Sequence, residues 1–419
     1  MKKPSDLCHR RDNCRLCGSS YLKLVLELTP TPLANEFVPQ SALHLEQLTF
    51  PLELFLCNDC KHVQLLDVVD PHVMFERYVY VSGTSPVFVK HFQKYAKMIV
   101  EGFLPDGHRN AQVLDIGSND GTLLSCFKDL GIKVLGVDPA RDIATDATER
   151  GLETIAEFFS PALANRIRKS HGMFDLITAN NVFAHADDLS GIVAGLDILL
   201  SKNGVFVFEV SYLVDVYEKC LFDTIYHEHL AYHTVGPLRN LFGSNDFELI
   251  DTLRIKSHGG SLRGAVQRKG GPYSISESVE ELITMEKNLG LDTVQTFVSF
   301  SDKINKIKFE LMNLLSQIKE IGANIAAFGA PAKATTLMYH FGIGPDIIEY
   351  IVDDSPLKQD LYTPGLHIPV LPSDTIYSEK PDYVLILAWN FADSIIEKHQ
   401  KFIDKGGKFI VPLPQVKVL

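Results

Sequence analysis

Short apolar runs recur in two separate stretches of the chain. From about residue 85 to 210 the runs VLDIG, VLGVD, FDLITAN and GVFVFEV alternate with segments whose apolar positions return every three or four residues. Continuous apolar runs suit strands buried on both faces, and the helical period between them suits crossovers. That alternation predicts a parallel sheet with helices on both faces. From residue 322 strand-like runs return as NIAAFGA, IIEYIVDD, DYVLILAW and GKFIVPL, which predicts a second α/β unit. Residues 277–321 are polar, with helical periodicity and few breakers; they read as two helices around Gly290. Residues 1–70 follow neither pattern and carry proline-rich turns such as TPTPLANEF.

Length and composition narrow this picture. At 419 residues the chain is too long for one ordinary core, and two or three domains are expected. Hydrophobic residues make up 46% and charged residues 22%, the composition of a soluble globular protein. The net charge of −12 argues against a protein built to grip nucleic acid. The strongest apolar run, YVLILAW at 383–389, is far short of the ~20 residues of a membrane span and reads as a buried strand. The N-terminus MKKPSDLCHRRDNC has no apolar stretch of the secretory kind, and a cytoplasmic location is expected.

Four of the seven cysteines fall in two C-x-x-C pairs, Cys14 with Cys17 and Cys57 with Cys60. In a reducing compartment this pattern points to metal rather than disulfides. Type and number fit one tetrahedral zinc site, although residues 18–56 form a larger loop than a zinc ribbon uses. The competing reading is four free thiols. Four thiolates close the coordination shell, so the zinc is expected to be structural. Cys8, His9 and His62 are spare ligands.

AQVLDIGSNDGTLLSCF reads as strand, glycine turn and helix. Gly117 and Gly121 let the backbone turn sharply and approach a ligand. Asp138, 17 residues past Gly121, ends the next strand, where a carboxylate receives ribose hydroxyls. The loop has Asn119 where a dinucleotide fingerprint has its middle glycine. A pyrophosphate needs that bare backbone and a methionine tail does not, so S-adenosylmethionine is favoured. Asp115 is placed for its α-amino group. Phe158, in AEFFS after the third strand, is a candidate for stacking on adenine. Asn180, Asn181 and His185 follow the fourth strand and converge on the same crevice; as single residues they fit loop or cap roles equally well.

DTIYHEHLAYH, residues 223–233, follows strand GVFVFEV and so emerges at the same carboxyl edge. Histidine titrates near neutrality and is the usual general base. Glu228 is placed to orient an imidazole, and Tyr226 to donate to a developing oxyanion. A metal at the H-x-H pair lacks a third ligand at a compelling spacing, with His258 only a distant candidate. Lys333 follows a strand and a glycine-proline turn, where phosphate binding occurs. Trp389 and Asn390 end strand YVLILAW at its carboxyl edge, bordering the pocket or, for Trp389, within the core.

The order of C-x-x-C, C-x-x-C, RYVYVSGTSP, LDIGSNDGTLL, FDTIYHEHLAY, SHGGSLRG, AFGAPAKATTL and IVDDSPLKQDLYTPGLHIPV resembles the sugar C-methyltransferases, over essentially the whole chain. These act on nucleotide-linked 4-keto-6-deoxyhexoses. The resemblance implies an α/β protein of three parts: a small zinc-binding domain over 1–75, an S-adenosylmethionine-binding Rossmann-like domain over 76–240, and a second Rossmann-like domain over 241–419, with the nucleotide sugar between the latter two. It implies His229 as general base beside Tyr226 and Glu228, with His227 as a substrate contact. It places Tyr78 and Tyr80 against cofactor or sugar. It sets Lys333, Asp354, Ser355 and Lys358, with His258 and Asn390, on the substrate side. The implied reaction is methylation of a carbon beside the ketone, C3 by family frequency. Partners beyond substrate are not expected, and the chain is read as a monomer or small homo-oligomer. Two other readings stay open here: an O- or N-methyltransferase, and a non-enzymatic zinc-bearing module, against which the intact Asp115, Asp138 and His229 speak. Methylation of RNA is disfavoured by the acidic charge. A neutral histidine base predicts an acid limb near the ordinary imidazole value, ~6.5.

Overall fold

The computed structural model describes residues 7–76, 83, 86–104 and 110–419, apart from the side chains of 86–88 and 258. The N-terminal unit holds β1 (Cys8–Arg10), β2 (Leu22–Thr31), β3 (Val38–Pro39), β4 (Phe50–Cys57), β5 (Val63–Leu65) and β6 (Asp67–Val69). Leu52, Leu54 and Leu56 of β4 are buried against Val25, Leu26 and Leu28 of β2. The period of two on β4 gives this sheet one covered face.

The central unit adds β7 (Gln112–Ile116), β8 (Lys133–Val137), β9 (Thr154–Ile155), β10 (Phe174–Asn180), β11 (Leu200–Ser211), β12 (Ala231–Tyr232), β13 (Phe247–Ile255) and β14 (Ser261–Arg268). Its seven-stranded sheet runs β13-β14-β11-β10-β7-β8-β9. β11, β10, β7, β8 and β9 are parallel, and β14 enters antiparallel between β11 and β13. The four apolar runs of the sequence are β7, β8, β10 and β11, buried as expected for strands covered on both faces. The strand order reverses between β7 and β10, which opens a crevice at their carboxyl ends. The expected boundary at 240/241 needs correcting. β13 and β14 complete the central sheet, so the chain leaves this unit only after Arg268. β13 at the sheet edge is only partly buried, and β14 buries polar Ser261, Arg263 and Gln267, so neither shows the apolar run that marked the parallel strands.

The two helices expected around Gly290 are Glu277–Asn288 and Val294–Glu320. They lead to β15 (Ile325–Phe328), β16 (Ile351–Asp353), β17 (Leu361–Tyr362), β18 (Val370–Pro372), β19 (Tyr383–Ile386), β20 (Lys408–Val411) and β21 (Lys417–Val418). The second sheet runs β18-β16-β15-β19-β20-β21, parallel through β20.

The N-terminal unit is stitched to both neighbours by backbone pairing. β12, directly after the HEH motif, is an edge strand on β5. β17 of the C-terminal unit pairs with β3. Among the described residues no helix is long and apolar enough to cross a membrane.

Candidate active site

The two cysteine pairs form matching knuckles. Gly18 N–H donates to the Cys14 carbonyl and Lys61 N–H to that of Cys57, at 2.8 and 2.9 Å. The residue after each pair, Gly18 or Lys61, has φ near +70°. Cys14 and Cys60 sulfurs lie 3.6 Å apart, as do those of Cys17 and Cys57, and all four lie within 4.8 Å of one another. Four thiolates around zinc at about 2.3 Å would stand roughly 3.8 Å apart, so the set fits zinc. The Cys14–Cys60 contact holds the Cys14 pKa down and pushes that of Cys60 up, so without a metal the two share one proton between them.

At the switch point, Gly117 turns with φ +70°. A Cβ there would meet Val182 Cγ2 at 2.2 Å, so the turn admits no side chain. Asp138 receives Asn119 N–H at 2.8 Å and Ala140 N–H at 2.9 Å. The carboxylate thereby fixes the glycine loop while each oxygen keeps further acceptor capacity. Asp115 is buried, accepts from Thr178 Oγ1 at 2.6 Å, and is pushed up to about 7 by burial. Asn180 faces the buried Tyr95 hydroxyl. Asn181 takes φ +57° and donates its N–H to the Glu209 carbonyl at 2.7 Å. Phe158 meets the His72 ring edge-on at 4.9 Å. Its partner is thus a residue of the helix Pro71–Phe75, and adenine stacking is not what this arrangement displays. Tyr78 and Tyr80 lie outside the described residues.

The residues following β11 are organised around His229. Its Nδ1–H donates to the Thr224 carbonyl at 2.8 Å. A carbonyl only accepts, so this bond fixes the tautomer and leaves Nε2 with its lone pair. The Tyr226 hydroxyl reaches Nε2 at 3.1 Å and therefore donates to it. Burial pulls the pKa down to about 4. The ring lies 5.0 Å from that of His185, so the cofactor loop and the base meet. Glu228 is buried and accepts from Asn35 Nδ2 at 2.7 Å.

His227 needs correcting as a substrate contact. It is 1% exposed, and Nε2–H donates to the carbonyls of Phe50 and Pro51 at 3.3 and 3.2 Å. The turn over residues 226–228 directs it away from His229, onto the first residues of β4.

The C-terminal unit repeats the geometry of the first glycine loop. Gly117 N–H donates to the Val137 carbonyl and Gly329 N–H to that of Val352, both at 2.7 Å. Asp353 receives Ala330 N–H, 2.6 Å, and Ser355 N–H, 2.8 Å, as Asp138 receives Asn119 and Ala140. Sequence reasoning passed over Asp353 for its neighbours Asp354 and Ser355. Asp354 turns outward to Lys398 at 2.7 Å, away from the crevice. Lys358 Nζ donates to the Ala330 carbonyl at 2.7 Å and sits in the fields of Asp353 and Glu228. Lys333 lies 3.7 Å from Asp223 and 3.7 Å from the centroid of the Trp389 ring. Trp389 Nε1–H donates to the same Asp223 at 2.6 Å. Asp223 is fully buried and joins the HEH segment to the second Rossmann-like unit; its place at the head of DTIYHEH was the available signal. Asn390 is exposed on the short turn Trp389–Phe391. The side chain of His258 is outside the description.

A glycine cradle at a switch point, two acids beside it and a neutral histidine at the same edge define a methyl-transfer site of the S-adenosylmethionine kind. Family models match a C-methyltransferase C-terminal domain over residues 256–414, a zinc binding domain over 14–75 and a methyltransferase domain over 88–252. The chain is 33% identical to C-methyltransferase NovU of Streptomyces niveus over 415 residues, 99% of this chain and 98% of that protein. The chain belongs to the S-adenosylmethionine-dependent C-methyltransferase family. Among solved structures, magnesium protoporphyrin IX methyltransferase of Synechocystis PCC 6803 with bound S-adenosylmethionine matches at 18% identity, covering 44% of this chain and 82% of that one, with a TM-score of 0.33. Ribosomal protein L11 methylase of Lactobacillus delbrueckii subsp. bulgaricus matches at 23% identity, 43% and 80% coverage, TM-score 0.30. The assignment rests on the family models and the full-length relative.

Proposed function

We propose that the enzyme C-methylates a nucleotide-linked 4-keto-6-deoxyhexose at C3, with His229 as the base. The observation that carries the reading is the setting of His229: its Nδ1–H held on the Thr224 carbonyl and its Nε2 touching Tyr226. A carbon is a poor nucleophile until a proton beside a carbonyl is removed. The C4 ketone acidifies the C3–H. His229 Nε2 takes that proton, and the electron pair spreads onto the ketone oxygen as an enolate. The Tyr226 hydroxyl, released from Nε2, donates to that oxygen. S-adenosylmethionine, when bound, supplies an electrophilic methyl on a sulfonium. The glycine loop, with Asp138 and Asp115, would hold it, and that methyl would be the electrophile for the enolate carbon, with S-adenosylhomocysteine as the leaving group. Lys333 and Lys358, beside the second glycine turn, supply positive charge for a diphosphate, and Asp353 a carboxylate for the nucleoside.

The test is incubation with S-adenosylmethionine and a nucleotide-linked 4-keto-6-deoxyhexose in heavy water, followed by NMR and mass spectrometry. A new methyl on C3 is expected. Methyl on oxygen, or a sugar with neither methyl nor deuterium beside the ketone, would sink the proposal.

A further inference from the structure

The first zinc knuckle carries a charged side chain into the interior. Arg15 lies between Cys14 and Cys17, and its side chain is 0% exposed. Nη1 donates to Gln64 Oε1 at 3.0 Å, to the Leu65 carbonyl at 2.7 Å and to the Leu230 carbonyl at 2.8 Å. Nη2 reaches Asp187 Oδ1 at 3.3 Å, a carboxylate that also takes Arg11 Nη1 at 2.9 Å. Two of these partners belong to the active site. Leu230 directly follows His229. Asp187 lies two residues beyond His185, whose ring faces that of His229 at 5.0 Å.

A buried guanidinium is costly unless its donors are paired. Here Nε has no partner among the described residues, and the pairing of Nη1 and Nη2 reaches across to positions 215 and 172 residues away. A knuckle that served its own unit alone would need neither contact. The guanidinium fork is planar and rigid, so its contacts share one orientation. That orientation is set at the Cα by the two flanking cysteines, which the metal ties together.

We propose that Arg15 is a positioning residue, through which the zinc knuckle holds the His229 and His185 loops in catalytic register. The inference rests on the reading of His229 as base. The base is not touched by Arg15; it is placed through Leu230 on one side and Asp187 on the other.

The experiment needs no sugar substrate, so its failure is separable from failure of the proposed reaction. Full-length protein is labelled with 15N-histidine, and the His229 resonance is identified by its loss in His229→Gln. Long-range proton–nitrogen NMR then reads which ring nitrogen carries the proton. The wild type is expected to show the Nδ1–H tautomer alone. In Arg15→Met, with zinc content intact and S-adenosylmethionine affinity within about twofold, we expect a mixture of tautomers as the Thr224 contact loosens. Arg15→Lys, which keeps the charge but not the fork, should fall between. An unchanged Nδ1–H tautomer in folded, zinc-loaded Arg15→Met would overturn the proposal. If Arg15→Met does not fold, Asp187→Asn decides in its place: a shifted His229 tautomer supports the positioning role, and an unchanged one removes it.

Discussion

At the scale of single residues, His229 is set by two neighbours with opposite roles. The Thr224 carbonyl accepts a hydrogen bond from its Nδ1–H and the Tyr226 hydroxyl donates to its Nε2 lone pair. Burial holds its pKa near 4, well under the ~6.5 of a solvated imidazole. The base is therefore already deprotonated throughout the neutral range. The acid limb expected near 6.5 from an ordinary histidine moves down with it: kcat/KM should show no loss from His229 between pH 8 and 5, and protonation should remove activity only on approach to 4. A pH–rate profile with a limb near 6.5 that vanishes in His229→Gln would contradict this. His229→Gln itself should lower turnover about 10²–10⁴-fold, the usual contribution of a positioned base. S-adenosylmethionine binding, measured by calorimetry, should survive, because the glycine loop, Asp115 and Asp138 are left intact.

At the scale of elements, the glycine turn and the strand beside it act as one unit. Asp138 directly follows β8 and accepts two amides, from Asn119 and Ala140. Asp138→Ala leaves both donors without this partner, at about 1–3 kcal/mol for each if buried, so the thermal midpoint should fall. The ribose role predicts at least a tenfold loss of S-adenosylmethionine affinity as well. A lowered midpoint with unchanged affinity would make the carboxylate a staple of the loop and nothing more. Asp138 was legible in the sequence because its spacing from Gly121 follows from one strand–turn–helix–strand unit. The four buried parallel strands were legible for a similar reason, since burial on both faces leaves a continuous apolar run. β13 and β14 were not: β13 is an edge strand, and β14, though buried, carries Ser261, Arg263 and Gln267 among its buried positions, which breaks the apolar run. Asp353 was hidden beside Asp354: adjacent residues on a strand end point opposite ways, and composition cannot say which faces the crevice. His227 was misplaced because the turn over residues 226–228 separates its ring from that of His229, and nothing in the spacing shows that turn. Arg15, Asn35 and Asp223 act on partners far along the chain, and local pattern carries no trace of such pairings.

At the scale of the molecule, the N-terminal unit clasps both Rossmann-like units, through β12 on β5 and β17 on β3. Its zinc should therefore support more than its own fold. Stripping the metal with a chelator should lower the thermal midpoint. It should also loosen the HEH loop, seen as faster amide exchange at Ala231 and Tyr232, whose strand pairs with β5 just past the second knuckle. Exchange there that stays slow in metal-free protein would show the clasp to be independent of zinc.

Acid should open the same seam. His227 donates to the Phe50 and Pro51 carbonyls of the N-terminal unit, and His233 Nε2–H donates to the Phe183 carbonyl at 3.2 Å. Burial lowers both pKa values to about 4. Each ring is neutral when folded, while the unfolded chain takes up its protons near 6.5. As pH falls from about 6.5 towards 4 the unfolded state binds protons that the folded state refuses. Stability is whole above that window and is lost within it, at about 1.4 kcal/mol per pH unit for each histidine. Zinc release in acid adds to the same decline, so the total slope does not isolate the rings. His227→Gln does: glutamine keeps an N–H donor for the two carbonyls but has no proton to gain. Urea midpoints of zinc-loaded wild type and variant, compared from pH 7.5 to 4.5, share the metal's contribution. The wild type should fall more steeply by roughly one histidine's share. Parallel curves would mean that His227 takes up its proton equally in both states, and the neutral clamp between the zinc unit and the HEH loop would be wrong.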